Sequence, residues 1–136
     1  MEMNKKPYRI LVLDPNPLFQ QEVVQLFPKE DFLIDCYDQL ADAVGSLKET
    51  HYDCAIVDVQ LPETPGYQAV PILKAISSDL PIILTAEKNT RELEAKVREQ
   101  DIFYYYIKFF GSEELMLAVL EAVKTSSGDA RRGIGA

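Results

Sequence analysis

Tryptophan is absent from the 136 residues, histidine occurs once and cysteine only twice. Cys36 and Cys54 lie inside apolar runs, without the CxxC or CxxH spacing that a metal site or redox pair needs. Each reads as a free buried thiol, which fits a reducing, cytoplasmic compartment. His51, between a helical pattern and a strand pattern, reads as a surface residue rather than a ligand. Positive charge is also scarce: 14 Lys and Arg stand against 22 Asp and Glu, a net charge of −8. Nucleic-acid binding by displacement of phosphate counterions is therefore excluded. No apolar run reaches the length of a membrane span or of a signal-peptide core. Internal repeats and low-complexity tracts are missing as well.

What is present suits one globular domain with a sizeable core, since 47% of the chain is apolar. Its most informative stretch is Tyr52 to Gly66, Y-D-C-A-I-V-D-V-Q-L-P-E-T-P-G. Small and β-branched residues from Cys54 to Val57 run straight into the carboxylate of Asp58, and a Pro/Gly loop follows. A charge at the end of a buried strand is costly without a partner. In open parallel sheets that rim is where ligands bind.

Four further strands are expected at Arg9–Asp14, Phe32–Cys36, Pro81–Thr85 and Phe103–Lys108. The first helix follows Asn16 as cap and Pro17 as first residue, with Phe19, Val23 and Phe27 on one face. Asp38 is expected to cap a second helix carrying Leu40, Val44 and Leu47. A third spans Tyr67–Ser77, and Pro71 either delays its start to about Val70 or kinks it. The fourth, Asn89–Gln100, carries Glu92/Lys96 and Glu94/Arg98 pairs. The last begins near Ser112 with an inner face of Leu115, Val119 and Ala122. Residues 6–125 form the domain, and the glycine-rich 126–136 read as a flexible tail. Strands that are apolar throughout, alternating with helices, imply an α/β fold: a doubly wound, five-stranded parallel sheet in a three-layer, flavodoxin-like sandwich.

Four of the five strands end in a polar side chain: Asp14, Asp58, Thr85 and Lys108. Any one of them is explained as a solvated strand end. Together on one rim, two carboxylates, a hydroxyl and a lysine suit a divalent cation and a phosphoryl group. Six apolar rings or phenols, Phe103 to Tyr106 with Phe109 and Phe110, surround the lysine, and most read as core packing.

These residues carry a resemblance. ILVLD at 10–14, YDCAIVDVQLP at 52–62 with Gly66, PIILTA at 81–86 and YYIKFF at 105–110 resemble the receiver domain of two-component response regulators over roughly Lys6 to Thr125. The resemblance implies a sheet order of 2-1-3-4-5 and a phosphoacceptor at Asp58, fed by a sensor histidine kinase or phosphotransfer protein. It implies Mg²⁺ on Asp14, Asp58 and the backbone carbonyl of Gln60, with Lys108 on the phosphoryl group. Thr85 and Tyr105 would be the switch pair. The last two helices and fifth strand would serve as the output surface and as the place for a homodimer. A signalling protein rather than an enzyme is implied.

Two positions depart from the family pattern. Pro15 stands where a second acid belongs and supplies no side-chain ligand, so Mg²⁺ binding is expected to be weakened or lost. Phe109 follows Lys108 where the family commonly has a proline with a cis bond. A non-proline cis bond costs ~3 kcal/mol, so a trans bond is expected here. A divergent receiver that binds a partner without phosphorylation is thus the alternative. A flavin or nucleotide enzyme of similar architecture is disfavoured, because D-P-N-P is no phosphate-cradling loop.

Overall fold

A computed structural model of the chain describes residues 6–108 and 111–125. Ten elements alternate: β1 Tyr8–Leu13, α1 Pro17–Leu26, β2 Phe32–Tyr37, α2 Leu40–Glu49, β3 Cys54–Asp58, α3 Gly66–Ile76, β4 Ile82–Ala86, α4 Arg91–Arg98, β5 Tyr104–Ile107 and α5 Ser112–Val123. All strand pairs are parallel, and the sheet order is β2-β1-β3-β4-β5. The doubly wound sandwich and the order 2-1-3-4-5 are both as expected. Where boundaries differ from expectation, they move by one or two residues.

Side-chain alternation explains why the inner strands are apolar without a break. Ile10 and Val12 of β1 and Cys54 and Ile56 of β3 join one core, with Phe19 and Val23 of α1 and Leu115, Val119 and Ala122 of α5. The intervening Leu11, Leu13, Ala55 and Val57 join the opposite core, with Ala43 and Leu47 of α2, Val70 and Leu73 of α3 and Val97 of α4. Both faces of the sheet are covered, so both parities must be apolar.

Asn16 caps α1 as expected: its Oδ1 accepts from the Leu18 and Phe19 N–H groups, and Pro17 is the first helical residue. α2 corrects the expectation for Asp38. Gln39 holds the cap position and makes no side-chain bond, while the carboxylate of Asp38 accepts from Gln20 Nε2 at 3.1 Å. The first turn of α2 meets Glu63 instead, whose Oε1 lies 3.5 Å from the Leu40 N–H. In α3 the helix does not start late; it begins at Gly66 and runs through Pro71. On α4, Arg98 pairs with Glu94 at 2.5 Å, whereas Glu92 and Lys96 form no ion pair among the described residues. Both cysteines are free, and burial pushes the Cys36 thiol up to about 11 and raises Cys54 further still. His51 is largely exposed, 3.2 Å from Asp53 Oδ1. The Lys108–Phe109 bond, Phe110 and the tail 126–136 lie outside the described residues.

Candidate functional site: an acidic pocket closed by a lysine

The register brings the expected residues to one level. Leu13 pairs with Val57, so Asp14 follows beside Asp58; Asp58 pairs with Thr85, and Thr85 with Tyr106. Alternation then selects the side. Asp14 continues the parity of Ile10 and Val12, Asp58 that of Cys54 and Ile56, and Lys108 that of Tyr104 and Tyr106. All therefore face the α1/α5 side of the sheet, at its carboxyl rim.

Asp14, Asp58, Thr85 and Lys108 are all buried. The Lys108 Nζ stands 2.8 Å from Asp14 Oδ2 and 3.0 Å from Asp58 Oδ1. Thr85 Oγ1 donates to the same Asp58 Oδ1 at 2.9 Å, and the Gln60 N–H donates to Oδ2 at 2.9 Å. Both oxygens of Asp58 are thereby held. Asp14 Oδ1 accepts from the Asn16 N–H at 2.9 Å, but its Oδ2 has no directed hydrogen bond despite the nearby ammonium. Lysine acts here as a point charge between two acids rather than as an aligned donor.

Burial pushes the Asp14 carboxyl above its ordinary range, against the pull of Lys108 and the Asn16 N–H. For Lys108, burial alone would lower the pKa, but Asp14 and Asp58 outweigh it and the net shift is upward. The ammonium stays charged at neutral pH, and the pocket holds two acids and one internal cation.

A divalent cation can be tested against these donors. The directionless Asp14 Oδ2 and the Asp58 carboxylate are hard oxygen donors, of the kind that suits Mg²⁺ bound largely through water. Pro15 contributes nothing, and no group of three metal-binding side chains gathers among the described residues. An ion there would share the two acids with the Lys108 ammonium, which stands 2.8 and 3.0 Å from them.

Gly66 shapes the same corner. A Cβ there would lie 1.9 Å from the Asp58 carbonyl oxygen, and the Gly66 N–H donates to the Val59 carbonyl at 2.7 Å. Only glycine lets the start of α3 rest on the backbone that carries Asp58. Tyr105 lies on the other parity, half-buried, with its hydroxyl donating to Asn89 Oδ1 at 2.8 Å; it makes no hydrogen bond to Thr85.

Three neighbours escaped sequence reasoning. The Phe19 ring centroid lies 4.4 Å from the Lys108 Nζ, a cation–π contact from a residue read only as helix core. Gln20 Nε2 donates to the Asp14 carbonyl at 2.6 Å and so ties α1 to the loop. The Tyr106 hydroxyl lies against the backbone on both sides of the β5–α5 connection. Helical periodicity places Phe19 on the inner face, but nothing in the sequence signals which strand end it meets.

Fold and site together define a doubly wound α/β domain with an acid–lysine pocket at the carboxyl rim of its sheet. The chain belongs to the response regulator receiver domain family, whose model matches residues 10–120. It is 28% identical over 123 residues to the transcriptional regulatory protein PcoR of Escherichia coli, covering 90% of this chain and 54% of PcoR. It is 26% identical over 121 residues to Protein PilG of Pseudomonas aeruginosa, covering 88% of this chain and 90% of PilG. The chain thus spans about half of one relative and most of another. Among solved structures it resembles the receiver domain of the sensor histidine kinase PA1611 from P. aeruginosa PAO1, which has a magnesium ion in its active-site cleft. The TM-score is 0.77 at 21% identity, covering 87% of this chain and 98% of that one. Receiver domains are modules of two-component signalling.

Proposed function

We propose that residues 6–125 act as a phosphorylatable switch in a two-component pathway, with Asp58 as phosphoacceptor. The observation that supports this is the environment of Asp58: Thr85, Lys108 and the Gln60 N–H converge on its carboxylate at 2.9, 3.0 and 2.9 Å. In the transfer, an Asp58 oxygen attacks phosphorus and the bond to the donor's imidazole nitrogen breaks. The imidazole keeps that electron pair, and the product is an acyl phosphate. Lys108 then offers its charge to a phosphoryl oxygen and Thr85 its hydroxyl. Mg²⁺ on Asp14, Asp58 and the Gln60 carbonyl would neutralise the incoming group; Pro15 makes that ion weakly held. The donor is a histidine kinase or phosphotransfer protein in the cytoplasm. The output is a partner surface or a homodimer through α4, β5 and α5, with Tyr105 following Thr85. The domain turns over no separate substrate.

Incubation with acetyl phosphate and Mg²⁺ should yield a phosphate adduct that Asp58→Asn abolishes. No adduct at any Mg²⁺ concentration would overturn the reading. A second reading, a receiver that binds its partner without phosphorylation, is favoured by Pro15 and by the pairing of Lys108 with both acids. On that reading Pro15→Asp creates Mg²⁺ binding that the natural chain lacks. Equal Mg²⁺ affinity in the two proteins removes its basis.

A further inference from the structure

We infer that Tyr106 is a positioning residue for Lys108, its hydroxyl clamping the backbone from which the lysine reaches the acids. The inference rests on the reading of Lys108 as the group that meets a phosphoryl oxygen. Tyr106 is fully buried beneath the pocket, in the core shared by β5 and α5. Its hydroxyl lies 3.1 Å from the Lys108 carbonyl oxygen and 3.0 Å from that of Gly111. One proton is thus shared between two acceptors that bracket the connection from β5 to α5.

The two carbonyls lie on either side of the connection from β5 to α5. Lys108 lies just beyond the last paired residue of the edge strand β5, and Gly111 just before the first turn of α5, at φ +106°. Lys108 is buried, and losing a donor to a buried carbonyl is costly. The phenol donates to both carbonyls across that connection. Burial, with the charges of Glu22 and Glu114, pushes its pKa up, so it remains protonated at neutral pH. Phenylalanine at this position would fill the same core volume and leave both carbonyls without it. The aromatic run of β5 therefore holds two different jobs at adjacent positions: Tyr105 turns to Asn89 at the surface, and Tyr106 anchors the lysine.

The test is amine labelling of the unmodified protein, read residue by residue by mass spectrometry, with no phosphoryl donor present. In Tyr106→Phe, Lys108 should label about fivefold faster, the change in loop opening expected from one lost buried hydrogen bond. Lys74, paired with Asp101 at 3.3 Å, should label at its wild-type rate. Tyr52→Phe, which removes a phenol bonded to Asp35 elsewhere in the fold, controls for loss of stability and should leave Lys108 protected. Unchanged Lys108 labelling in Tyr106→Phe, or an equal rise in Tyr52→Phe, overturns the inference. Because the readout needs no phosphate, it stands or falls separately from the role of Asp58.

Discussion

At the scale of single residues, the pocket is governed by Lys108. One ammonium compensates two buried carboxylates, and the Phe19 ring and Thr85 hydroxyl fill the space around it. Removing one member of a buried ion pair leaves the other uncompensated, which costs more than the pair contributes. Lys108→Met should therefore destabilise the fold by about 3 kcal/mol, read as a lower urea midpoint with unchanged slope. Gly66 sets a steric limit beside it. A methyl group at that position cannot fit without moving the Asp58 carbonyl, which it would approach to 1.9 Å. Gly66→Ala should cost about 2 kcal/mol or more, and it should shift the amide signals of Val59 and Gln60 in NMR spectra.

At the scale of elements, the helices differ in how their ends are satisfied. α1 is capped by Asn16 and α4 by Thr90, whose Oγ1 accepts from the Leu93 N–H at 3.0 Å. α2 has no cap of its own and borrows Glu63 from the loop after β3. α3 carries an internal proline, yet it remains helical from Gly66 to Ile76 because Ala69, Val70 and Leu73 are buried against the sheet. Packing there outweighs the missing N–H of Pro71. Pro71 is exposed, so alanine should restore that hydrogen bond without disturbing the core. Pro71→Ala is expected to stabilise the protein by roughly 1–3 kcal/mol, checked by equilibrium denaturation.

At the scale of the whole molecule, the raised pKa values act together at alkaline pH. Lys108 lies above its ordinary 10.5 because its two acids outweigh the effect of burial. Tyr52 is pushed up to about 12 by burial and its bond to Asp35, and Tyr104, Tyr105 and Tyr106 are raised as well. Above pH ~10 the unfolded chain releases protons that the folded protein keeps, so raising pH favours unfolding. Stability should hold up to pH ~10 and fall steadily as pH rises toward and past about 12. Tyr52→Phe should make that fall shallower. Asp14 has the same sign at the acid end: its contribution is fully present below 3.8 and is lost as pH rises through its raised folded value. Denaturant midpoints measured across pH test both limbs.

The sequence by itself determined the sheet, the order of elements and the four polar strand ends. Strands buried on both faces must be apolar at every position, and the acids and lysine stand out against that background. Through its resemblance to receiver domains it also marked Pro15 as a position where a second acid is expected. Only the tertiary structure decided what those residues do to one another. Strand alternation and register placed Asp14, Asp58, Thr85 and Lys108 on the α1/α5 side, within hydrogen-bonding distance of one another. Phe19 and Tyr106 became parts of the pocket, Tyr105 turned away to Asn89, and Asp38 left its helix to meet Gln20. Such contacts join residues far apart in the chain, and their energies depend on burial and direction. Local pattern carries neither, so the lysine's two partners and its anchor appear only once the chain is folded.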